Sequence, residues 1–473
     1  MIDIALIREK PDWVKEQIAK LNDEAARNRI DAILALDQER RTLITEAERI
    51  QATRNKLNKS MGMLRSNKAL PEDKRLALAL QADQAIAAKR YEDAVDILGG
   101  ATTIKVDFPR PDLIGAMDKL MAALRGMGNT VDAINTDAAK VESQLNEHLY
   151  WLPNLPHESV PVAPDESGNI AHPAHGELPE FDFQPKAHWD LGPALGIIDF
   201  ERGVKLHGSR GYVLMGWGAR LQRALISFFL DQARESGFTE VYVPYMVQQP
   251  MMFGAGQFPK FMENVYYDPE ADLYMIPTAE VAVTNLHRDE ILDEAQLPLN
   301  YIAHSPCFRK EKASAGKDTR GMKRVHQFEK VEMYKFTTPE TSYAELEQMT
   351  RLAENLCAKL ELPYRRLEIV TGDLGFSATK KYDVEVWSAG TEEWLEVSSI
   401  SNTESFQARR ANVKYRPAGE KKTQFVHTLN GSGLATPRVM IAIMENNQQE
   451  DGSVLIPAAL RPYLGGAERI TKA

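Results

Sequence analysis

The sequence predicts an α+β protein in which an almost wholly helical N-terminal third, built on an antiparallel helical hairpin, precedes a mixed helix–strand remainder. Three observations carry this. Two apolar seams with a 3,4 rhythm lie within the first 150 residues. A proline-dense stretch from 150 to 200 then breaks the pattern. Beyond it, amphipathic helices alternate with short runs of period two. At 473 residues the chain has room for roughly two to four domains. The expected boundaries are 1–150 for a helical-arm domain, 151–200 for an extended connector and 201–473 for the mixed domain.

The first seam runs through Ile33, Leu36, Arg40, Leu43, Ala47, Ile50, Arg54, Leu57, Met61 and Leu64, with two arginines whose stems can still cover apolar surface. The second runs through Met117, Leu120, Leu124, Met127, Val131, Ile134, Ala138, Val141 and Leu145. Two seams separated by a break predict an antiparallel pair, reaching on the order of 50 Å for residues 31–65. Arg54, Lys56, Lys59, Arg65 and Lys68 stand between Gln51 and Lys68 with no acid among them. Such a run reads either as a solvated face or as a dock for a phosphate backbone. Between Leu70 and Pro111 an Ala-rich helical stretch near Leu76 to Leu98 is followed by Gly99-Gly100 and the KVDFPRP run at 105–111, for which no conformation is read.

Composition sets limits. The chain is 43% hydrophobic and 26% charged with a net charge of −10, which argues against general nucleic-acid coating but permits a local basic surface. Cys307 and Cys357 are the two cysteines, too few for a disulfide framework and without metal spacing. The start, MIDIALIREKPDW, has no apolar leader segment, and no stretch approaches 18 apolar residues. The expected location is the cytoplasm, with no membrane association.

In the mixed domain a helix is expected over Gly218 to Gly237, then a strand over Glu240 to Val243 ending at Pro244. Residues 309–330 carry eight Lys or Arg against three acids, in contrast to the acidic background. They fall between a strand-like run at Tyr301 and a second from Val325 to Phe336, whose alternation puts Phe328, Glu332, Tyr334 and Phe336 on one face. The small residues Ala313 to Asp318 read as a loop. A basic hairpin with an aromatic and a carboxylate on its floor suits a polyanion with a flat base, such as ATP; the other reading is a solvated hairpin. In Met275-Ile276-Pro277-Thr278-Ala279-Glu280 the Thr and Glu read equally as a helix cap. In Trp394 to Asn402, simple alternation puts Glu396 and Ser399 on opposite faces, so joint metal binding needs a bulge. Phe425 to Gly433 reads as a strand closing on a glycine turn, feeding a helix over Leu434 to Glu445 that carries Arg438. That is an anion site in outline, without the GxxxxGK[ST] or GxGxxG patterns.

Taken in order, TAE at 278–280, FRKE with its basic loop, HQFEKVE, EVSSISN, FQARR at 406–410 and HTLNGSGLA with the following arginine resemble the seryl-tRNA synthetase family of bacterial type, a class II aminoacyl-tRNA synthetase family. The likeness extends to the N-terminal hairpin and the LPNLPHESVPV connector. It implies a class II catalytic domain, an antiparallel sheet flanked by helices, with the hairpin as a tRNA-binding coiled-coil arm. It implies serine–tRNA ligase activity: L-serine and ATP give seryl-adenylate, and serine then passes to tRNA(Ser) and tRNA(Sec).

The resemblance also implies site roles. Arg309 is expected to bridge the ATP α-phosphate and the serine carboxylate, and Arg438 to cover adenine and meet the γ-phosphate. Thr278, Ala279, Glu280, Glu332 and Ser432 match serine-binding positions. Lys310, Glu311, Val325, Phe328, Val397 and Ser398 match ATP-binding positions, with Glu396 and Ser399 holding Mg2+. Arg54, Lys56, Lys59 and Arg65 are expected on tRNA, and Pro244 at a homodimer interface. No zinc is expected, because Cys307 and Cys357 read as packing residues rather than a cage. The two arginines must face one cavity for these roles to hold. Two departures stand out: the segment from about Leu76 to Met117 is long for the family's arm tip, and Pro437 beside Arg438 fits only in a first helical turn. The alternatives are an amino acid:carrier-protein ligase, which would lack the arm, and a non-catalytic paralogue, which would have lost Arg309, Glu332 or Arg438.

Overall fold

The computed structural model describes every residue except 100–107, 110, 112–113, 313–315, 317, 319 and 473. The KVDFPRP run and the predicted loop at Ala313 to Asp318 therefore fall largely outside the described residues. Two compact units emerge, one of Met1–Arg27 with Trp151–Ala473 and the other of Asn28–Tyr150.

The second unit is the helical one. Helix α1 (Glu24–Ser66) supplies one long limb, followed by α2 (Glu72–Ala87), α3 (Tyr91–Gly99) and α4 (Ala116–Tyr150). At 43 residues α1 is about 65 Å long. Cross-contacts set its direction against α4. Arg29 meets His148 at 3.4 Å, Arg40 meets Glu142 at 3.1 Å, and Arg54 Nε donates to the Leu124 carbonyl at 3.1 Å. One number rises as the other falls, so the helices are antiparallel. The expected seams are inside: Ile33, Ala47, Ile50, Leu57 and Leu64 are buried on α1, as are Leu120, Leu124, Met127 and Val131 on α4. A Cβ on Gly128 would sit 3.0 Å from the Arg54 guanidinium, so glycine is what admits that arginine into the seam. The Ala-rich stretch read as helical near Leu76 to Leu98 forms α2 and α3, in which Leu78, Ile86, Ala94 and Leu98 share one apolar cluster with Leu64 and Leu120.

The other unit is built on an eight-stranded sheet. Its strands in chain order are β1 (Ile170–Ala171), β2 (Thr239–Glu240), β3 (Leu299–Phe308), β4 (Gln327–Thr337), β5 (Tyr364–Glu368), β6 (Lys380–Ser388), β7 (Glu393–Glu404) and β8 (His427–Ala435). They lie in the order β1-β5-β6-β7-β8-β4-β3-β2, antiparallel except for the edge pair β2–β3. Helices α5 (Trp217–Glu235), α6 (Ser342–Lys359) and α7 (Thr436–Asn446) contribute to the larger core, which takes Val331 and Met333 from β4. Tyr334 and Phe336, of opposite parity on that strand, belong to a second core. The sheet is thus buried on both faces.

Several expectations shift. The first 27 residues belong with the sheet rather than with the arm. The Met1 amino group donates to the Phe406 carbonyl at 2.6 Å, and Asp3 pairs with Arg409 at 3.0 Å. These contacts span some four hundred residues and leave no periodic trace in the sequence. The proline-rich connector is stitched down as well: Asn154 donates to the carbonyls of Ser377 and Thr403, and Ile170–Ala171 forms an edge strand, where proline neighbours are tolerated. The expected glycine turn at 431–433 is strand instead. Gly431 pairs with Met333 on one side and Ile400 on the other, and a Cβ there would come within 2.9 Å of the Ile400 side chain. Pro437 lies in the first turn of α7, where no helical N–H is lost.

Truncating the seam tests the arm's packing. Leu57 is fully buried whereas its neighbour Lys56 is exposed. Leu57→Ala should cost about 2–5 kcal/mol, read as a lower urea midpoint of the helical circular-dichroism signal. Lys56→Ala should stay within about 0.5 kcal/mol.

Candidate functional site

One cavity of about 570 Å3 opens on the face of the sheet formed by β4, β8 and β7. Strand periodicity selects its walls. From β4 it takes Phe328, Lys330 and Glu332, every second residue. From β8 it takes Asn430 and Ser432 and then, three residues on, Ala435; from β7 it takes the alternating Val397, Ser399 and Ser401, and Glu396 out of that alternation. Each departure from alternation coincides with a slip in pairing. Lys330 faces Ala435 while Glu332 faces Ser432, and Val384 faces Ser398 while Glu385 faces Glu396. The second slip makes Val397 the extra residue of a bulge, the irregularity needed for Glu396 and Ser399 to share a cavity.

The cationic end is organised by two arginines that face this one cavity. Arg309 follows β3; its N–H donates to the His326 carbonyl at 2.9 Å and its Nε to the Pro277 carbonyl at 3.3 Å. Its guanidinium stands 5.1 Å above the Phe328 ring. Arg438, in the first turn of α7, donates to the Glu396 carbonyl at 2.7 Å and approaches the Lys323 carbonyl at 3.4 Å. Glu311 faces Arg324 at 3.7 Å. Val325 and Val397 supply apolar wall. Burial depresses the Lys323 ammonium below its ordinary range.

The acidic end holds two buried carboxyls. Glu332 pairs with Lys330 and accepts from the Thr278 hydroxyl at 3.1 Å. Glu280 accepts from the Gln407 amide at 2.6 Å. Burial, and then the Glu332 charge, push the Glu280 carboxyl up to about 7, against the opposing pull of Lys330. A third acid lies behind Ser399: Asp383, directly across from it on β6, is pushed up to about 7 by burial and then by Glu396. Among the described residues no group of three or more His, Cys, Asp or Glu could hold a metal ion. A divalent ion near Glu396 and Ser399 would draw most of its ligands from substrate oxygens and water, the habit of Mg2+.

Of the expected site residues, Thr278, Glu280, Glu332, Ser432, Arg309, Glu311, Val325, Phe328, Glu396, Val397, Ser399 and Arg438 line this cavity. Three do not. Ala279 is buried behind Thr278; Ser398 is buried and donates to the Ser432 carbonyl at 2.5 Å; Lys310 turns to the Tyr266 ring at 5.4 Å. Pro244 is exposed, next but one to Tyr242, which is 85% exposed. On the arm Lys56, Lys59 and Arg65 are exposed, whereas Arg54 is spent on the helix pair. Both cysteines are buried free thiols.

Sequence reasoning passed over Lys330, although it shares the parity of Phe328 and Glu332. It also missed His188, which carries no motif signal. The Met322 N–H donates to His188 Nε2 at 3.0 Å, which puts the imidazole proton on Nδ1, facing Glu445 Oε1 at 2.8 Å. Glu445 belongs to α7, so this buried pair ties the helix bearing Arg438 to the turn of Met322 and Lys323. A Cβ at Gly321, where φ is +72°, would fall 1.9 Å from that nitrogen.

Comparison with known proteins agrees over the whole length. Residues 1–98 match the family described as the seryl-tRNA synthetase N-terminal domain, and residues 262–447 match the tRNA synthetase class II core domain (G, H, P, S and T). The chain is 50% identical over 472 residues to the serine–tRNA ligase of Roseiflexus sp. (strain RS-1), covering 100% of both. It is 49% identical over 471 residues to that of Thermomicrobium roseum, covering 99% of this chain and 95% of the relative. Among solved structures it is similar to seryl-tRNA synthetase from Pyrococcus horikoshii complexed with ATP, at TM-score 0.85 and 36% identity over 100% of each chain. A second likeness is to the cytoplasmic serine–tRNA ligase from Naegleria fowleri in complex with AMP, at TM-score 0.79 and 27% identity, covering 100% of this chain and 99% of that one.

The raised Glu280 carboxyl has a stability consequence. Between 4.5, the ordinary value, and about 7 it ionises in the unfolded chain before it does in the folded one. Its contribution to stability is therefore complete at low pH and lost as the pH rises through 7. Glu280→Gln should melt higher than the parent at pH 8, and the gain should vanish towards pH 4.5, as followed by calorimetry.

Proposed function

The chain belongs to the seryl-tRNA synthetase family, and we propose that it is an ATP-dependent serine–tRNA ligase whose two half-reactions share the cavity on β4, β8 and β7. The observation that carries this is the convergence of Arg309 and Arg438 on one hollow whose far end is lined by Glu280 and Glu332.

A serine carboxylate and the α-phosphate of ATP repel each other unless cations lie between them. Arg309 is suited to bridge the two, since its guanidinium is already held over Phe328 and against the Pro277 carbonyl. A serine carboxylate oxygen then attacks the α-phosphorus, the bond from that phosphorus to the bridging oxygen breaks, and pyrophosphate leaves. No protein nucleophile is needed; positioning and charge neutralisation supply the rate. Adenine fits between Phe328 and Arg438, with Glu311 and the main chain at Val325 at its edge. Glu396 and Ser399, brought together by the Val397 bulge, would hold Mg2+, which when bound spreads the negative charge of the phosphates.

Glu280, Glu332 and Thr278 offer acceptors to the serine ammonium and hydroxyl. Alanine, without the hydroxyl, would leave a buried acceptor unmet, a stronger basis for rejection than an apolar contact. A ribose hydroxyl at the 3′ end of tRNA(Ser), and of tRNA(Sec) where that tRNA is made, then attacks the carbonyl carbon of the adenylate; the ester forms, the acyl–phosphate bond breaks, and AMP and the hydroxyl proton leave. Docking is assigned to the exposed Lys56, Lys59 and Arg65. Arg54, held by the Leu124 carbonyl, serves the helix pair instead. A cytoplasmic homodimer through the exposed Tyr242 and Pro244 completes the proposal; no described helix is long and apolar enough to cross a membrane.

Arg309→Ala should lower serine-dependent ATP–pyrophosphate exchange by about 10²–10³-fold, the usual effect of removing one preorganised donor, with an unchanged circular-dichroism spectrum. An unaffected rate would remove Arg309 from the reaction. Replacing Lys59 and Arg65 with Ala together should raise the KM for tRNA and flatten its salt dependence while leaving exchange untouched.

A further inference from the structure

Behind Glu280 lies a buried side chain to which nothing above assigns a role. Gln407, on the short helix Phe406–Ala411, is fully buried. Its Nε2 donates to Glu280 Oε1 at 2.6 Å and to the Ala255 carbonyl at 3.0 Å. Both partners offer oxygen acceptors, so both amide hydrogens are used. Its Oε1 accepts from the Tyr334 hydroxyl and from the Thr428 hydroxyl, each at 2.8 Å, with the Thr403 hydroxyl at 3.3 Å.

The amide therefore has one orientation. Turning it over would press its oxygen against the Ala255 carbonyl and the Glu280 carboxylate. Its neighbours come from β4, β7, β8 and the segment before Phe258, so four separate parts of the fold fix this one side chain. The donor it presents favours the charged form of Glu280, in opposition to burial and Glu332.

We propose that Gln407 is a positioning residue for the amino-acid end of the site: its locked amide holds the Glu280 carboxylate facing the cavity, at the angle that substrate ammonium or hydroxyl requires. This rests on the assignment of that end to serine. Gln407 does not line the cavity, and its hydrogen bonds reach none of the nucleotide-end residues Phe328, Glu396 or Arg438.

Gln407→Glu keeps the shape but replaces the donor with a carboxyl group against Glu280. The KM for serine in ATP–pyrophosphate exchange should rise ten-fold or more, while the KM for ATP stays within two-fold. Tyr334→Phe removes one of the hydroxyls that orient the amide and should raise the serine KM by a smaller factor in the same direction, with the ATP KM again unmoved. The preserved ATP KM reports that the sheet is folded. A serine KM unchanged in both variants, or equal rises in both KM values, would overturn the role of Gln407 alone. Absence of serine-dependent exchange in the unaltered chain would instead overturn the serine assignment.

Discussion

The register of three neighbouring strands governs this molecule's chemistry. A strand shows alternate side chains to alternate faces, so β4, β8 and β7 would each send one parity toward the cavity. The two slips, at Lys330/Glu332 and at Val397, change that parity once on β8 and once on β7. Without them Ala435 and Glu396 would turn into the core, and a charged Glu396 among Val384, Val386 and Leu395 would be costly. The core on the other face therefore enforces the register that the cavity needs.

The same sheet lets opposite charges work at close range without a large net field. Lys330 lies against Glu332 and Arg438 against Glu396, so each of these four charges has an opposite neighbour. Cations cluster where phosphates are expected, and carboxyls at the other end. At the acidic end Glu280 and Glu332 are both nearly inaccessible. Electrostatic forces there are correspondingly stronger than at the surface. The His188–Glu445 pair extends this order outward by fastening the helix of Arg438 to the chain at Met322.

Much of this was legible in the residues themselves. The 3,4 seams foretold both long helices, because burial on one face of a helix imposes that rhythm. The alternation from Phe328 to Phe336 foretold β4, and the mismatch between Glu396 and Ser399 called for the bulge later found at Val397. The glycines at 431 and 433 misled, since a glycine demanded by close strand packing looks the same as one demanded by a turn. What stayed hidden was long-range. Gln407 and His188 act through partners 127 and 134 residues away, and Met1 and Asp3 bind a segment four hundred residues downstream. Local pattern carries no information about such pairings. The helical stretch near Leu76 to Leu98 was legible from its alanines, but not its division into α2 and α3, because α2 is buried on several sides and shows little periodicity.

The arginine seated in the long helical pair has its own implication. A purely apolar zipper can slide by one heptad at little cost, because one leucine resembles another. Arg54 cannot slide: it needs the open notch at Gly128 and the carbonyl of Leu124, and a shift would drive its charge into a side chain or strand it among methyl groups. The pair is thus keyed to a single alignment, and the span of the arm is set as a fixed length, like a measuring rod with a notch cut at one mark.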